Sequence, residues 1–170
     1  MRLILIRHGH STHERYLDSG LTELGVNQVQ QLASRVPWRR ELQGRVQLLS
    51  SPLPRALQSA AYLRPVLPPH GYRVEASLRE VDDGVGEPPA QGESFGSFLR
   101  RVRQLFDTLA SESANDTLLC VTHAGVIAAS LATLLGEPVS GRRVQLLPAH
   151  ASITEWSVEG RVWTLVRYNG

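Results

Sequence analysis

Two histidines and two arginines stand where strand ends could bring them to one phosphate. His8 lies in Arg7-His8-Gly9, directly after the apolar run Leu3-Ile4-Leu5-Ile6, and His123 lies in Thr122-His123-Ala124-Gly125, directly after Leu118-Leu119-Cys120-Val121. Both runs are short, continuous and partly β-branched, the pattern of strands buried on both faces. The carboxyl edge of such strands is where an open parallel sheet keeps its ligands. Arg55 follows a third run, Val46 to Leu49, at the expected start of a helix, where backbone N–H groups also favour an anion. An Arg-His pair at a strand end can offer one phosphate both a clamp and a nucleophile, and guanidinium forks match phosphate oxygens. A lone histidine in such a place would more simply cap a core strand. The convergence of four groups on one edge is what points to a site for a dianionic phosphate.

Strands and helices must alternate to position these groups. Thr22-Glu23 opens a helix predicted on Leu24, Val29, Leu32, Ala33 and Val36 and stopped by Pro37. After the strand Val46 to Leu49, Ser50-Ser51-Pro52 leads into a helix through Ala56, Leu57, Ala60, Ala61 and Leu63, with the serines as cap and Pro52 or Pro54 in its first turn. Tyr72 to Val74 reads as a short strand. Val81 to Gly96 is rich in Gly, Pro and acid, which suits a loop over a site. From Ser94 a helix is expected with Phe95, Phe98, Leu99, Val102, Leu105, Phe106 and Leu109 as its buried stripe, and with Arg100, Arg101 and Arg103 on a solvated face. Thr117 to Thr122 is a strand, Ala124 to Leu135 a helix, and Ser152 to Val158 with Arg161 to Tyr168 a β-hairpin around Glu159-Gly160. The alternation predicts an α/β fold with a mainly parallel sheet.

Composition narrows the function classes. A length of 170 residues suits a single domain over 1–170, and 42% hydrophobic with 20% charged residues is ordinary for a soluble globular chain. No apolar stretch approaches the roughly 18 residues of a membrane span. The opening strand is too short and too quickly followed by charge for a signal peptide, so the cytoplasm is expected and no membrane partner. A formal charge of +2 gives no support for nucleic acid as a partner. All 18 basic residues are arginine, which removes any P-loop or Schiff-base lysine and any pyridoxal anchor. Phosphate must then be held by Arg, His and backbone. Cys120 is the single cysteine and reads as a small core residue.

Several segments, in order, carry a resemblance. Arg7-His8-Gly9, Leu21-Thr22-Glu23-Leu24-Gly25 with Gln28, Ser50 to Ala56 with Gln58-Ser59-Ala60, Leu78-Arg79-Glu80 with Gly84, Gly92-Glu93-Ser94, and Val121-Thr122-His123-Ala124-Gly125-Val126 resemble the successive motifs of the histidine phosphatase superfamily, the phosphoglycerate mutase-like group. Pro148 to Thr154 also resembles the penultimate strand of its small phosphatase members. The resemblance implies a three-layer α/β sandwich with a mostly parallel central sheet and helices on both faces. It implies a metal-independent phosphomonoesterase without cofactor, in which His8 is the nucleophile of a phosphohistidine intermediate. By the same resemblance Arg7, Arg55 and His123 bind phosphate and Glu80 is the acid that protonates the leaving oxygen. Acidic neighbours Asp82 and Asp83, with bound phosphate, would help keep Glu80 protonated. Ser11 holds a hydroxyl where the family usually has Thr and could donate to phosphate.

The chain departs from the pattern at His10, where Glu or Gln is usual, and at Glu14, where an Asn usually touches phosphate. The stretch from Gly84 to Gly92 is short, which suggests an open site and argues against a mutase. His8, His10 and His13 have the His-x-His-x-x-His spacing of a metallohydrolase, but Thr12 stands where that family has Asp, and such a site leaves Arg7, Arg55 and Glu80 without roles; His10 and His13 are read as polar loop residues. The substrate class is a small-molecule phosphate ester. Size, the Gly92-Glu93-Ser94 segment and Ala151-Ser152-Ile153-Thr154 resemble the α-ribazole phosphatases of cobalamin synthesis; broad-specificity, sugar-phosphate and phosphohistidine phosphatases stay open, as does oligomeric state.

Overall fold

The computed structural model describes residues 1–14, 17–42, 44–68, 71–81, 93–113, 116–135 and 146–170, with backbone only for His13, Glu14, Leu17, Asp18, Ser19 and Arg39. In chain order the elements are β1 (Arg2–Arg7), β2 (Ser11–Glu14), β3 (Leu17–Leu21), α1 (Glu23–Arg35), α2 (Trp38–Glu41), β4 (Val46–Ser50), α3 (Pro54–Leu63), β5 (Tyr72–Val74), α4 (Phe95–Glu112), β6 (Thr117–Thr122), α5 (Ala124–Leu134), β7 (Ile153–Glu159) and β8 (Val162–Arg167). Six strands form one sheet in the order β5-β4-β6-β1-β7-β8, and β2 pairs with β3 apart from it. The run from β5 to β1 is parallel, whereas β7 reverses against β1 and β8 against β7. The sheet is therefore mixed, parallel from the β5 edge as far as β1 and antiparallel from β1 to the β8 edge.

Side-chain alternation makes the three layers. Leu3, Leu5, Leu118 and Cys120 join Phe98, Val102 and Phe106 of α4 and Val126 and Ile127 of α5 on one face. Ile4, Ile6, Leu119 and Val121 join Val29 and Leu32 of α1, Trp38 of α2 and Ala56 and Ala60 of α3 on the other. A strand can be apolar on both sides only because helices cover both. These strand residues are at most 3% exposed, and each buried aliphatic side chain contributes about 1.5–3 kcal/mol. Burial pushes the Cys120 thiol up to about 12, so it is an inert core group.

Local differences from the sequence pattern have physical reasons. Leu24 is 55% exposed; it lies roughly 140° round the helix from Val29, off the buried stripe. Phe95 fits the α4 stripe by angle but opens the helix and stays 58% exposed. The serines before α3 do not cap it: Leu53 holds that position without a side-chain bond, and Pro54 fills the first turn, where a missing N–H costs little. The one-turn helix α2 was not predicted and forms as Trp38 and Leu42 are drawn into the core. His13, read as a loop residue, stands on β2 opposite Asp18. The closing hairpin turns at Gly160, whose φ of +59° suits glycine. Among the described residues no helix is long and apolar enough to cross a membrane.

Candidate active site

The loop after β1 is held from three sides. His8 N donates to Thr122 O at 3.0 Å, so the end of β1 is tied to the end of β6. Gly9 N donates to Ser59 Oγ of α3 at 3.2 Å and His10 N to Gln28 Oε1 of α1 at 2.8 Å. Thr22 caps α1 by accepting from Gly25 N at 3.1 Å, and its N–H reaches back to His10 O at 3.0 Å. A Cβ on Gly9 would overlap Gly25 O, and one on Gly25 would overlap His10 O. The two glycines are needed for this close backbone approach. Gly9, Thr22, Gly25, Gln28 and Ser59 thus act as a bracket that fixes His8.

The hydrogen bonds of His8 define its chemistry. Nδ1 lies 2.7 Å from Gly9 O, an acceptor only, so Nδ1 carries the proton. Nε2 accepts from Arg55 Nε at 3.1 Å, which leaves the lone pair on Nε2. His8 is only 5% exposed, and burial, together with the charges of Arg55, Arg7 and neighbouring His150, pushes its pKa down to about 3, against the Gly9 hydrogen bond. The imidazole is neutral at neutral pH, with its basic nitrogen turned toward a guanidinium.

The remaining predicted groups surround it. Arg55 sits in the first turn of α3, 7% exposed. Arg7 Nη1 donates to Pro148 O, and burial lowers the Arg7 pKa, with Glu80 opposing and Arg55 adding to the shift. His123 is fully buried at the N-cap of α5, its ring 5.1 Å from that of His8, and its Nε2 pairs with Ser51 Oγ at 2.7 Å. Glu80 reaches the same helix end: Oε2 accepts from Gly125 N at 3.0 Å and Oε1 from Val81 N at 2.9 Å. Thr122 Oγ1 donates to Leu78 O at 2.9 Å and holds this segment against β6. Arg7, His8, Arg55, His123 and Glu80 therefore share one end of the sheet.

Other expected residues fall differently. Ser11 opens β2, half-buried and paired in register with Leu21. His10 is half-buried, with Nδ1 2.9 Å from Thr22 Oγ1. The side chains of His13 and Glu14, and the stretch 82–92 with Asp82 and Asp83, lie outside the described residues. Both His8 nitrogens are engaged, Nδ1 by Gly9 O and Nε2 by the Arg55 guanidinium.

Two residues had not been assigned to the site. Arg101, expected on a solvated face, forms a bidentate pair with Glu93 at 2.9 and 2.6 Å and donates to Ser77 O and Arg79 O at 2.7 and 3.1 Å. It braces the backbone leading into Glu80. His150, noted only within a strand motif, lies with its ring 5.7 Å from His8 and 5.3 Å from His10. It stands just before β7, which runs antiparallel to β1 and so brings it to the same sheet edge as His8, a placement that local spacing does not report. A cavity of about 530 Å³ lies on α1 and the chain's last residues, lined in part by Gln28, Gln31, Arg35, Ser152 and Asn169. Of the cluster around His8 only His150 touches it. Arg7, Arg55, His123 and Glu80 gather at His8, outside the lining of this cavity.

Known proteins share this arrangement of chain. Adenosylcobalamin/alpha-ribazole phosphatase of Salmonella typhi is 26% identical over 192 residues, covering 98% of this chain and 90% of that protein. The structure of mycobacterial glucosyl-3-phosphoglycerate phosphatase complexed with VO3 is 27% identical with a TM-score of 0.79, covering 99% of this chain and 98% of that one. Bacillus stearothermophilus YhfR superposes with a TM-score of 0.83 at 20% identity, over 99% of this chain and 96% of that one, a likeness of fold. The model of the histidine phosphatase superfamily (branch 1) matches residues 3–88 and 83–170. With matches that run from the first strand to the last residue, the chain belongs to the histidine phosphatase superfamily, branch 1.

Proposed function

We propose that the chain is one domain over 1–170 that hydrolyses a small-molecule phosphomonoester through a phosphohistidine on His8, without a metal. The carrying observation is the orientation of His8: Nδ1–H is committed to Gly9 O and Nε2 keeps its lone pair, buried beside Arg55. Nε2 attacks phosphorus and the bond to the leaving oxygen breaks. Arg7, Arg55 and His123 offset the charge of the phosphoryl oxygens, and Ser11 adds a hydroxyl at the loop. Arg7 Nε supports the reading, as a buried donor with no partner among the described residues. Glu80 is the acid that delivers a proton to the leaving alkoxide. It then takes one from the water that attacks phospho-His8, releasing phosphate and restoring both groups.

A sugar- or ribose-bearing ester is the substrate class that the relatives favour. One of them is named for α-ribazole phosphate chemistry and another for glucosyl-3-phosphoglycerate. α-Ribazole 5'-phosphate is the first candidate and a sugar phosphate the second. The test is a panel of α-ribazole 5'-phosphate, glucosyl-3-phosphoglycerate, 3-phosphoglycerate and a phosphohistidine peptide, assayed with wild type and His8→Ala. Turnover should vanish in His8→Ala, vanadate should inhibit wild type and EDTA should not. Undiminished turnover in His8→Ala sinks the mechanism.

A further inference from the structure

Three imidazoles stand side by side at the sheet edge, each delivered by a different strand. His123 follows β6, His8 follows β1, and His150 precedes β7, and in the sheet β6 and β7 flank β1 on opposite sides. Because β7 is antiparallel to β1, its first residue pairs with the end of β1, Ile153 with Ile6, so the chain before β7 lies at the carboxyl edge. The turn is fastened there: Ala151 N donates to Arg7 O at 3.0 Å and Arg7 Nη1 donates to Pro148 O. Ala151 adopts a φ of +55°, a conformation that costs a non-glycine residue about 1–3 kcal/mol. The rings of His123 and His150 meet His8 at 5.1 and 5.7 Å, both tilted by 58°.

The attachment of these rings differs in one respect. His8, His10 and His123 each have a ring nitrogen engaged by a neighbour, Gly9 O and Arg55, Thr22 and Ser51 respectively. His150 is held by ring packing and through the backbone bonds of its neighbours in the turn, and no hydrogen bond from the described residues engages its ring nitrogens. From these observations we infer that His150 is a further phosphate-binding residue, which donates an N–H to a phosphoryl oxygen on the flank of His8 opposite His123.

Burial, Arg7 and His10 push its pKa down to about 4, so at neutral pH the ring adds a donor and no charge. A position beside the nucleophile suits an equatorial phosphoryl oxygen. It does not suit the general base, because the leaving group and the attacking water lie in line on the far side of phosphorus.

The inference rests on the phosphohistidine reading, and its test separates the two. Steady-state kinetics on p-nitrophenyl phosphate and inhibition constants for vanadate and inorganic phosphate are measured for wild type, His150→Ala, His150→Phe and His150→Asn, with thermal melts as a folding check. One charge-assisted hydrogen bond corresponds to about a tenfold change in these constants. His150→Ala and His150→Phe should raise both inhibition constants and KM by about that factor, while His150→Asn, which keeps an N–H donor, should retain most of the affinity. Wild-type vanadate inhibition in His150→Phe, which keeps the ring packing without the donor, overturns the inference, and so does a loss in His150→Asn as large as in His150→Phe. Vanadate insensitivity of wild type, together with turnover by His8→Ala, removes the phosphohistidine reading and this inference with it. Full vanadate sensitivity in both wild type and His150→Phe removes the inference alone.

Discussion

His123 and His150 flank the same ring from opposite sides and are built in opposite ways. His123 is fully buried, stands at the N-cap of α5 after a parallel strand, and is pinned by Ser51. His150 is half-exposed, stands in a turn before an antiparallel strand, and is held by ring packing and by the backbone bonds of its neighbours Pro148, Ala149 and Ala151. The first flank is part of the core and so is rigid; the second is a surface turn clamped onto it. A site built this way keeps the reacting geometry on the buried side and leaves the exposed side open to variation.

The largest expected effect would sharpen that contrast. His123→Ala removes a buried imidazole beside His8 and leaves Ser51 Oγ without it; kcat/KM should fall about 10²–10³-fold, well beyond the loss for His150→Ala. Equal losses from the two substitutions, measured on p-nitrophenyl phosphate, would erase the distinction between flanks. Next comes Glu80, the acid of the proposed mechanism, on the His123 side. In Gly125→Ala the new Cβ would overlap Glu80 Oε1, so the carboxylate must leave Gly125 N. Turnover of an alkyl phosphate should drop about 10²-fold, with a much smaller loss on p-nitrophenyl phosphate, whose leaving group needs no proton. Glu80→Gln should reproduce the split; equal losses on both substrates count against the acid role.

Titration tests both flanks together. His8 is held near 3 and His150 near 4, whereas each titrates at about 6.5 in an unfolded chain. As pH falls below 6.5 the unfolded chain takes up protons that the folded one refuses, so stability present above 6.5 is lost progressively until pH passes the folded values. Denaturant midpoints should decline from pH 6.5 toward 4, and His8→Asn and His150→Asn should each flatten that decline. For the same reason kcat/KM should show no acid limb at 6.5 due to His8. A pH-independent midpoint would contradict the buried neutral imidazoles. The smallest effect is expected at the brace: Arg101→Ala loses its pair with Glu93 and its bonds to Ser77 O and Arg79 O. About 1 kcal/mol of stability should go, seen as a lower melting temperature, with a few-fold fall in kcat on alkyl phosphates. A kcat unchanged in Arg101→Ala would show that Glu80 needs no such support.

Much of the site was legible because strand ends and helix starts leave local marks. His8 and His123 each follow a continuous apolar run, and Pro54 marks the turn that carries Arg55. The bracket residues Gly9, Thr22, Gly25 and Gln28 were visible as a motif, but their physical task, two backbones in contact, needed the packed loop. Arg101 was misread because helical angle alone assigns it to solvent, while Glu93 and the carbonyls of Ser77 and Arg79 come from other parts of the chain. His150 was missed because a histidine in a turn has no periodicity to report it.

By itself, then, the sequence determined the α/β alternation, the two-faced strands, the family motifs and the identity of the groups gathered at the sheet edge. Those follow from local rules: apolar period, caps, prolines and residue chemistry. The tertiary structure alone decided that β7 runs back along β1 and so sets His150 beside His8, which nitrogen of His8 carries the proton, and that Glu80 rests on the first turn of α5. Each of these depends on contacts between residues far apart in the chain, where direction and distance are set by packing and leave no trace in local spacing.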